Sequence, residues 1–192
     1  MVVAMRVAFF GGSFNPPHVA HQLVVLYVLE TAEVDELWLV PCGKHPFDKA
    51  LAPYHHRLRM CELTAAGLGP RVRVSDIEGR LGGESHTLVT LKALRAEHPG
   101  HEFWLVVGAD IEPELPLWYG AQELLRTVPR IVVGRGDAPG GTPLAIPALS
   151  STEVRARLAR GEPVAGLLPR AVDSYIREQG LYTAALVRPR PT

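Results

Sequence analysis

The sequence predicts an α/β fold, a doubly wound parallel sheet of five or six strands flanked by helices. Three observations predict it. Strand-like runs of Val, Ile, Leu and aromatic residues alternate with segments of helical period, in the order β-α-β-α-β-α-β. Several strand runs are continuously apolar, as strands buried on both faces of a parallel sheet must be. The first of them runs through two glycines into a helix, the strand-turn-helix entry typical of sheets that bind ligands at their carboxyl edge. The chain has 192 residues, 47% hydrophobic and 21% charged, enough for one domain with a substantial core.

The strand candidates are residues 6–10, 36–40, 71–74, 103–107 and 131–133. Residues 20–31 form the first helix. Ala20, Leu23, Val24, Tyr27 and Val28 share one face, and Val25, Leu26 and Leu29 are apolar as well, which predicts burial nearly all round. Leu58, Cys61, Ala65 and Leu68 mark a second packing stripe, and Leu88, Leu91 and Leu94 a third. Cys61 is thereby a core thiol. Ser150 with Glu153 three positions later reads as a capping box that starts a helix at Ser151 and ends it by Gly161. Another helix runs from Pro169, suited to a first turn, to Gly180, suited to the position past the end. Residues 136–143 are Gly- and Pro-rich and read as an exposed loop, and 184–192 as a flexible tail, leaving 1–183 as a single domain.

Composition excludes several classes. Twenty Lys plus Arg balance twenty Asp plus Glu, so the chain lacks the positive field that nonspecific nucleic-acid binding needs. Eighteen glycines and 17 prolines in 192 residues stay below the roughly 25–30% that signals disorder. The longest apolar run, residues 23–29, is far short of the ~18–20 residues of a membrane span. Residues 1–10 lack the layout of a signal peptide, since Arg6 interrupts them and no basic region precedes them. Cys42 and Cys61 form no CxxC pair or disulfide framework, which fits a reducing cytoplasm. Oligomeric state is open, a homo-oligomer included.

Chemistry concentrates in Gly11-Gly12-Ser13-Phe14-Asn15-Pro16-Pro17-His18-Val19-Ala20-His21. Glycines at a strand's carboxyl end let main-chain amides approach an anion, and the following helix points its positive end at the same place. On a helix, residues three apart lie about 300° around the axis, so His18 and His21 face one point. Such a pair suits hydrogen bonds to phosphate oxygens or metal ligation. Phosphate is preferred, because no further His or Cys stands at a spacing that supplies a third zinc ligand. A second anion-binding helix start, Ser150-Ser151-Thr152-Glu153-Val154-Arg155, follows late in the chain, with Arg155 near enough to grip a phosphate bidentately. Both open at the carboxyl edge of one sheet.

Residues 11–21 resemble the nucleotidyltransferase signature G-G-x-F-[DN]-P-x-H-x-G-H, and residues 149–155 resemble its partner, I-S-S-T-x-x-R. The bacterial nicotinate-nucleotide adenylyltransferases are similar over nearly the whole chain. Further matches are Gly108-Ala109-Asp110, Trp118-Tyr119, Ser85 and Thr87, Leu168-Pro169, and Gly180-Leu181-Tyr182. The resemblance implies a Rossmann-like sheet and adenylyl transfer from ATP to nicotinate mononucleotide, with deamido-NAD and pyrophosphate as products. The mononucleotide phosphate attacks the α-phosphorus directly, and Mg2+ arrives on the ATP phosphates. It further implies that His18, His21 and Arg155 are catalytic. Gly11, Gly12, Ser13, Phe14, Gly108, Asp110, Ser151 and Thr152 would complete the ATP site. Asn15, Lys44, Thr87, Trp118 and Tyr119 would bind the mononucleotide, Trp118 stacking on the pyridine ring.

Three positions depart from that pattern. Ala20 replaces a glycine beside the expected adenine surface, His86 replaces a commoner tyrosine, and the loop at residues 41–49 lacks the usual P-P-H-K. Lys44 is therefore favoured over Lys49 as the phosphate contact on no more than position. Two other functions fit some of these residues: the same transfer to nicotinamide mononucleotide, and a noncatalytic ATP- or NAD-binding sensor. A sensor has no need of His18, His21 and Arg155 together.

Overall fold

The computed structural model describes residues 4–44, 51–134 and 146–183. The loop expected at 136–143, the tail at 184–192 and Lys49 lie outside them. Five strands form one parallel sheet: β1 (Arg6–Gly12), β2 (Glu36–Pro41), β3 (Val72–Val74), β4 (Glu102–Gly108) and β5 (Arg130–Val133). Their order across the sheet is β3-β2-β1-β4-β5. The chain thus builds outward from β1 to one edge, then returns to β1's other side, where Val7 pairs with Phe103. β1 and β4 are the neighbours between which the winding reverses, and their carboxyl ends open the crevice in which such sheets bind ligands.

Alternation along the strands divides the core. Ala8, Leu37, Leu39 and Val106 face one apolar cluster, completed by Val24, Met60, Val154 and Val172 from helices α1 (Val19–Thr31), α2 (Tyr54–Ala66), α6 (Ser151–Ala159) and α7 (Arg170–Glu178). Val7, Phe9, Trp38, Val40 and Val107 face the other, with Ile77, Leu88, Leu91 and Leu124 from α3 (Ile77–Leu81), α4 (Thr87–Glu97) and α5 (Ala121–Thr127). Helices on both faces make the fold Rossmann-like and doubly wound.

One expectation of burial is corrected. Helix α1 is not buried all round. Leu23 and Leu26 are 38% and 44% exposed, because a helix laid on one face of a sheet has nothing covering its outer side. A 3-10 helix at Glu112–Leu117 precedes Trp118, and Pro113, near its start, costs no hydrogen bond. Cys61 is fully buried, and burial pushes its thiol pKa well up, as befits a core residue. Ser150 Oγ accepts from the Glu153 amide at 3.1 Å, while the Glu153 carboxylate turns instead to Arg157 at 2.9 Å. Among the described residues, no helix is long and apolar enough to cross a membrane.

Candidate active site

A cleft of about 590 Å³ opens at the carboxyl ends of β1 and β4. Gly11, Gly12, Ser13, His18 and His21 form one wall, Gly108, Ile111 and Trp118 another, and Ser150, Ser151, Thr152 and Arg155 a third. The two segments singled out from opposite ends of the sequence therefore share one cavity.

His18 is the N-cap of α1, with extended φ of −139°, rather than a residue of its first turn. The two imidazoles nevertheless stack, with centroids 3.8 Å apart and planes inclined by 29°. What fixes His21 is a main-chain bond: its Nδ1 accepts from the His18 amide at 3.0 Å. With Nδ1 committed as acceptor, a neutral His21 carries its proton on Nε2, which leaves that nitrogen a donor. Phe14 packs edge-on against His21, centroids 5.0 Å apart, and against Phe10 at 5.5 Å.

The α6 wall is stitched to this turn. Ser151 Oγ donates to the Pro16 carbonyl at 2.9 Å, and Arg155 Nη1 donates to the Asn15 carbonyl at 2.8 Å. Nη2 of Arg155 reaches Thr152 Oγ1 at 3.2 Å. Among the described residues the half-buried guanidinium bonds to neutral oxygens, and burial lowers its pKa. An arginine remains cationic under such a shift.

Phe14 and Asn15 lie behind the wall, each 1% exposed. Phe14 has φ of +42°, in the left-handed region, and supports His21 from below. Asn15 is a strut: its Oδ1 accepts from the Ala52 amide at 3.0 Å and from the Tyr182 hydroxyl at 2.8 Å, while its buried Nδ2 has no partner among the described residues. Ala20 is fully buried in the core and does not line the cleft, so its methyl narrows nothing there.

The residues expected around the mononucleotide divide. Trp118 lines the cleft; Asp110, Lys44, Thr87 and Tyr119 do not. Asp110 is exposed just past β4. Lys44 is exposed, and its main chain pairs in parallel with that of Glu84, two residues before His86. Thr87 opens α4, and Tyr119, 61% exposed, stacks on His86 with centroids 4.6 Å apart. The Lys44 bridge and the Tyr119 stack bring the backbone at Lys44, the start of α4 and the Trp118-Tyr119 turn to one rim. Gly120 keeps the Trp118-Tyr119 turn close to α4, since at its φ of +66° an added Cβ would collide with Leu88.

Sequence reasoning missed Arg57. This α2 residue is 1% exposed and donates to the carbonyls of Ser13, Gly43 and Ala52 at 2.9–3.0 Å. Its spacing from Met60, Cys61 and Thr64, all buried, was the available signal: a charged residue on an inward helix face. That face differs from the stripe read through Leu58 and Leu68, which are only partly buried.

The lining is neutral or cationic: two imidazoles, one guanidinium, hydroxyls and main-chain amides. That is the donor set of an anion receptor. Among the described residues, no group of three or more His, Cys, Asp or Glu could hold a metal ion.

Comparison with known proteins agrees. A family model described as cytidylyltransferase-like matches residues 9–157. A protein of Anaeromyxobacter sp. (strain K), named "Probable nicotinate-nucleotide adenylyltransferase", is 48% identical over 182 residues, covering 92% of this chain and 96% of that one. A Myxococcus xanthus protein of the same name is 41% identical over 186 residues, covering 93% and 95%. The solved structure of Plasmodium falciparum nicotinic acid mononucleotide adenylyltransferase complexed with NaAD shares the fold, with a TM-score of 0.77, 24% identity, and coverage of 92% and 97%.

Proposed function

The chain belongs to the nicotinate-nucleotide adenylyltransferases, within the cytidylyltransferase-like family, and from that membership we propose how its own residues carry adenylyl transfer from ATP to nicotinate mononucleotide. The triphosphate lies between the two motif walls. His18 and His21 donate to its oxygens, the His21 Nε2–H toward the α-phosphate, where charge develops as the mononucleotide phosphate attacks. Ser151, Thr152 and Arg155 hold the β- and γ-phosphates, and the amides of Gly12 and Ser13 close the remaining side. Gly108 lets the nucleotide approach β4, with Asp110 accepting from a ribose hydroxyl. Trp118 stacks on the pyridine ring, and Lys44, Thr87 and Tyr119 at the adjoining rim meet the rest of the mononucleotide.

Direct attack needs no enzyme nucleophile. The work is positioning and neutralisation of charge, for which Arg155 is suited because its partners here are neutral. Magnesium, travelling on the ATP phosphates, supplies further charge neutralisation. The reaction is a step of NAD biosynthesis, and a cytoplasmic location suits a chain whose substrates are soluble nucleotides.

The observation that carries this reading is the single cleft lined by His18, His21, Ser151, Thr152 and Arg155. Incubation with ATP, magnesium and nicotinate mononucleotide tests it. Stoichiometric pyrophosphate and deamido-NAD are expected. Nucleotide binding without pyrophosphate would favour a sensor, and a higher kcat/KM for nicotinamide mononucleotide would change the acceptor.

A further inference from the structure

Burying a guanidinium is costly unless every donor is used. Arg57 is among the largest fully buried side chains of the protein, and among the described residues no carboxylate is bonded to it. Its acceptors are main-chain carbonyls at three points of two βα connections. Nε donates to Ala52 O at 2.9 Å, Nη1 to Ser13 O at 3.0 Å, and Nη2 to Gly43 O at 3.0 Å, while Cys42 Sγ lies 3.8 Å from Nη1. The Tyr54 ring, 5.5 Å away, covers the guanidinium.

Each segment it holds has a second fastening, so the arginine is the shared node of a frame. Gly43 is gripped from the other side by Ser85 Oγ, which accepts its amide at 2.8 Å. Ala52 gives its amide to Asn15 Oδ1 at 3.0 Å, and Asn15 presents its own carbonyl to Arg155. Ser13 and Leu51, next to Ala52, line the cleft. Gly43 precedes Lys44 at the rim. Ser13 belongs to the connection after β1, and Gly43 and Ala52 to the start and end of the connection after β2, so the guanidinium ties two βα connections together at three points.

We infer that Arg57 is a positioning residue: one buried, planar, permanently charged fork that sets the phosphate-binding turn at Ser13 against the backbone at Gly43 and Ala52, and so fixes the two substrates relative to each other. It touches neither the cleft nor a substrate. Lysine cannot replace it, since an ammonium is a point donor and cannot span three carbonyls in a plane. This inference rests on the adenylyl-transfer reading for its kinetic consequence, but not for its structural one.

Two measurements separate these. In Arg57→Lys, kcat per folded molecule at saturating substrates falls by about 10²-fold, the scale of a misplacement of reacting groups by about 1 Å. Ser85→Ala, which loosens Gly43 from the opposite side without disturbing the core, lowers kcat by about three- to tenfold by the same route. Hydrogen exchange, which needs no activity, reports faster exchange at the amides of Phe14, Gly43 and Lys44 in both variants or in whichever folds, with the β1 and β2 interiors unchanged. A merely structural arginine would lower Tm and folded yield yet leave kcat per folded molecule at the wild-type value; that result overturns the inference. So does exchange at these amides indistinguishable from wild type. Wild-type protein without turnover would instead sink the functional reading, leaving exchange to decide the role of Arg57.

Discussion

The Arg155 guanidinium donates to the Asn15 carbonyl at 2.8 Å, joining residues 140 apart in sequence. This bond aims one motif with the backbone of the other, so the guanidinium is held ready before any ligand arrives. Replacing it with lysine keeps the charge and loses the fork. Arg155→Lys is expected to lower kcat by about 10²-fold with the fold intact, and Arg155→Met by more. Steady-state kinetics with both substrates saturating checks this; a kcat within threefold of wild type would place the arginine outside the reaction.

His21 is fixed by its Nδ1 bond to the His18 amide, which leaves Nε2 as the donor. His21→Ala should lose on the order of 10²–10³ in kcat, the scale of one transition-state donor, while ATP still binds. Calorimetric titration with ATP alongside turnover separates the two quantities. Loss of both together would mean that His21 serves ground-state binding.

Trp118 lines the cleft from the 3-10 helix and the turn that follows it. If it stacks on the pyridine ring, Trp118→Ala raises KM for the mononucleotide by about tenfold, since stacking on one base is worth roughly 1–3 kcal/mol. The KM for ATP stays within about twofold. An equal rise in both would mark the tryptophan as a scaffold residue.

Tyr182, 6% exposed, donates to Asn15 Oδ1 at 2.8 Å and so anchors the end of the described chain to the turn at its start. Tyr182→Phe leaves Oδ1 with Ala52 alone and should cost about 1 kcal/mol, a fall of about 2–4 °C in Tm. Thermal unfolding measures it. An unchanged Tm would show that the hydroxyl bond contributes nothing net.

His56 links α2 to α7 through Nδ1 and the Tyr175 hydroxyl, 2.8 Å apart, and burial lowers its pKa from 6.5. The folded state therefore resists protonation more than the unfolded state does. Its stabilising share is full above pH 6.5 and is lost as pH falls from there through the lowered folded value. Between pH 7 and 5 the wild type should lose Tm more steeply than His56→Gln. Parallel curves would remove His56 as a source of acid sensitivity.

Much of this was legible in the sequence, for physical reasons that differ by element. The five strands show because buried parallel strands must be continuously apolar, and Arg6, Glu36 and Glu102 mark their amino ends. α3 at five residues and the 3-10 helix at six are too short to display a period, and both passed unread. The histidine pair was found by helical spacing, although His18 stands just outside the helix and meets His21 through an N-cap bond. The hydrogen bonds of Asn15 and Arg57 were not readable, because partners such as Tyr182 and Gly43 are brought near only by the fold. The outer face of α1 misled, since apolarity alone does not say that Leu26 has a neighbour.

The most direct measurement is the structure of the protein with a nonhydrolysable ATP analogue and magnesium. The account predicts the α-phosphate within hydrogen-bond reach of His21 Nε2 and, on the same molecule, β- or γ-oxygens held by Arg155 and the hydroxyls of Ser151 or Thr152. A triphosphate gripped by one motif, with the other turned away from it, would contradict the account.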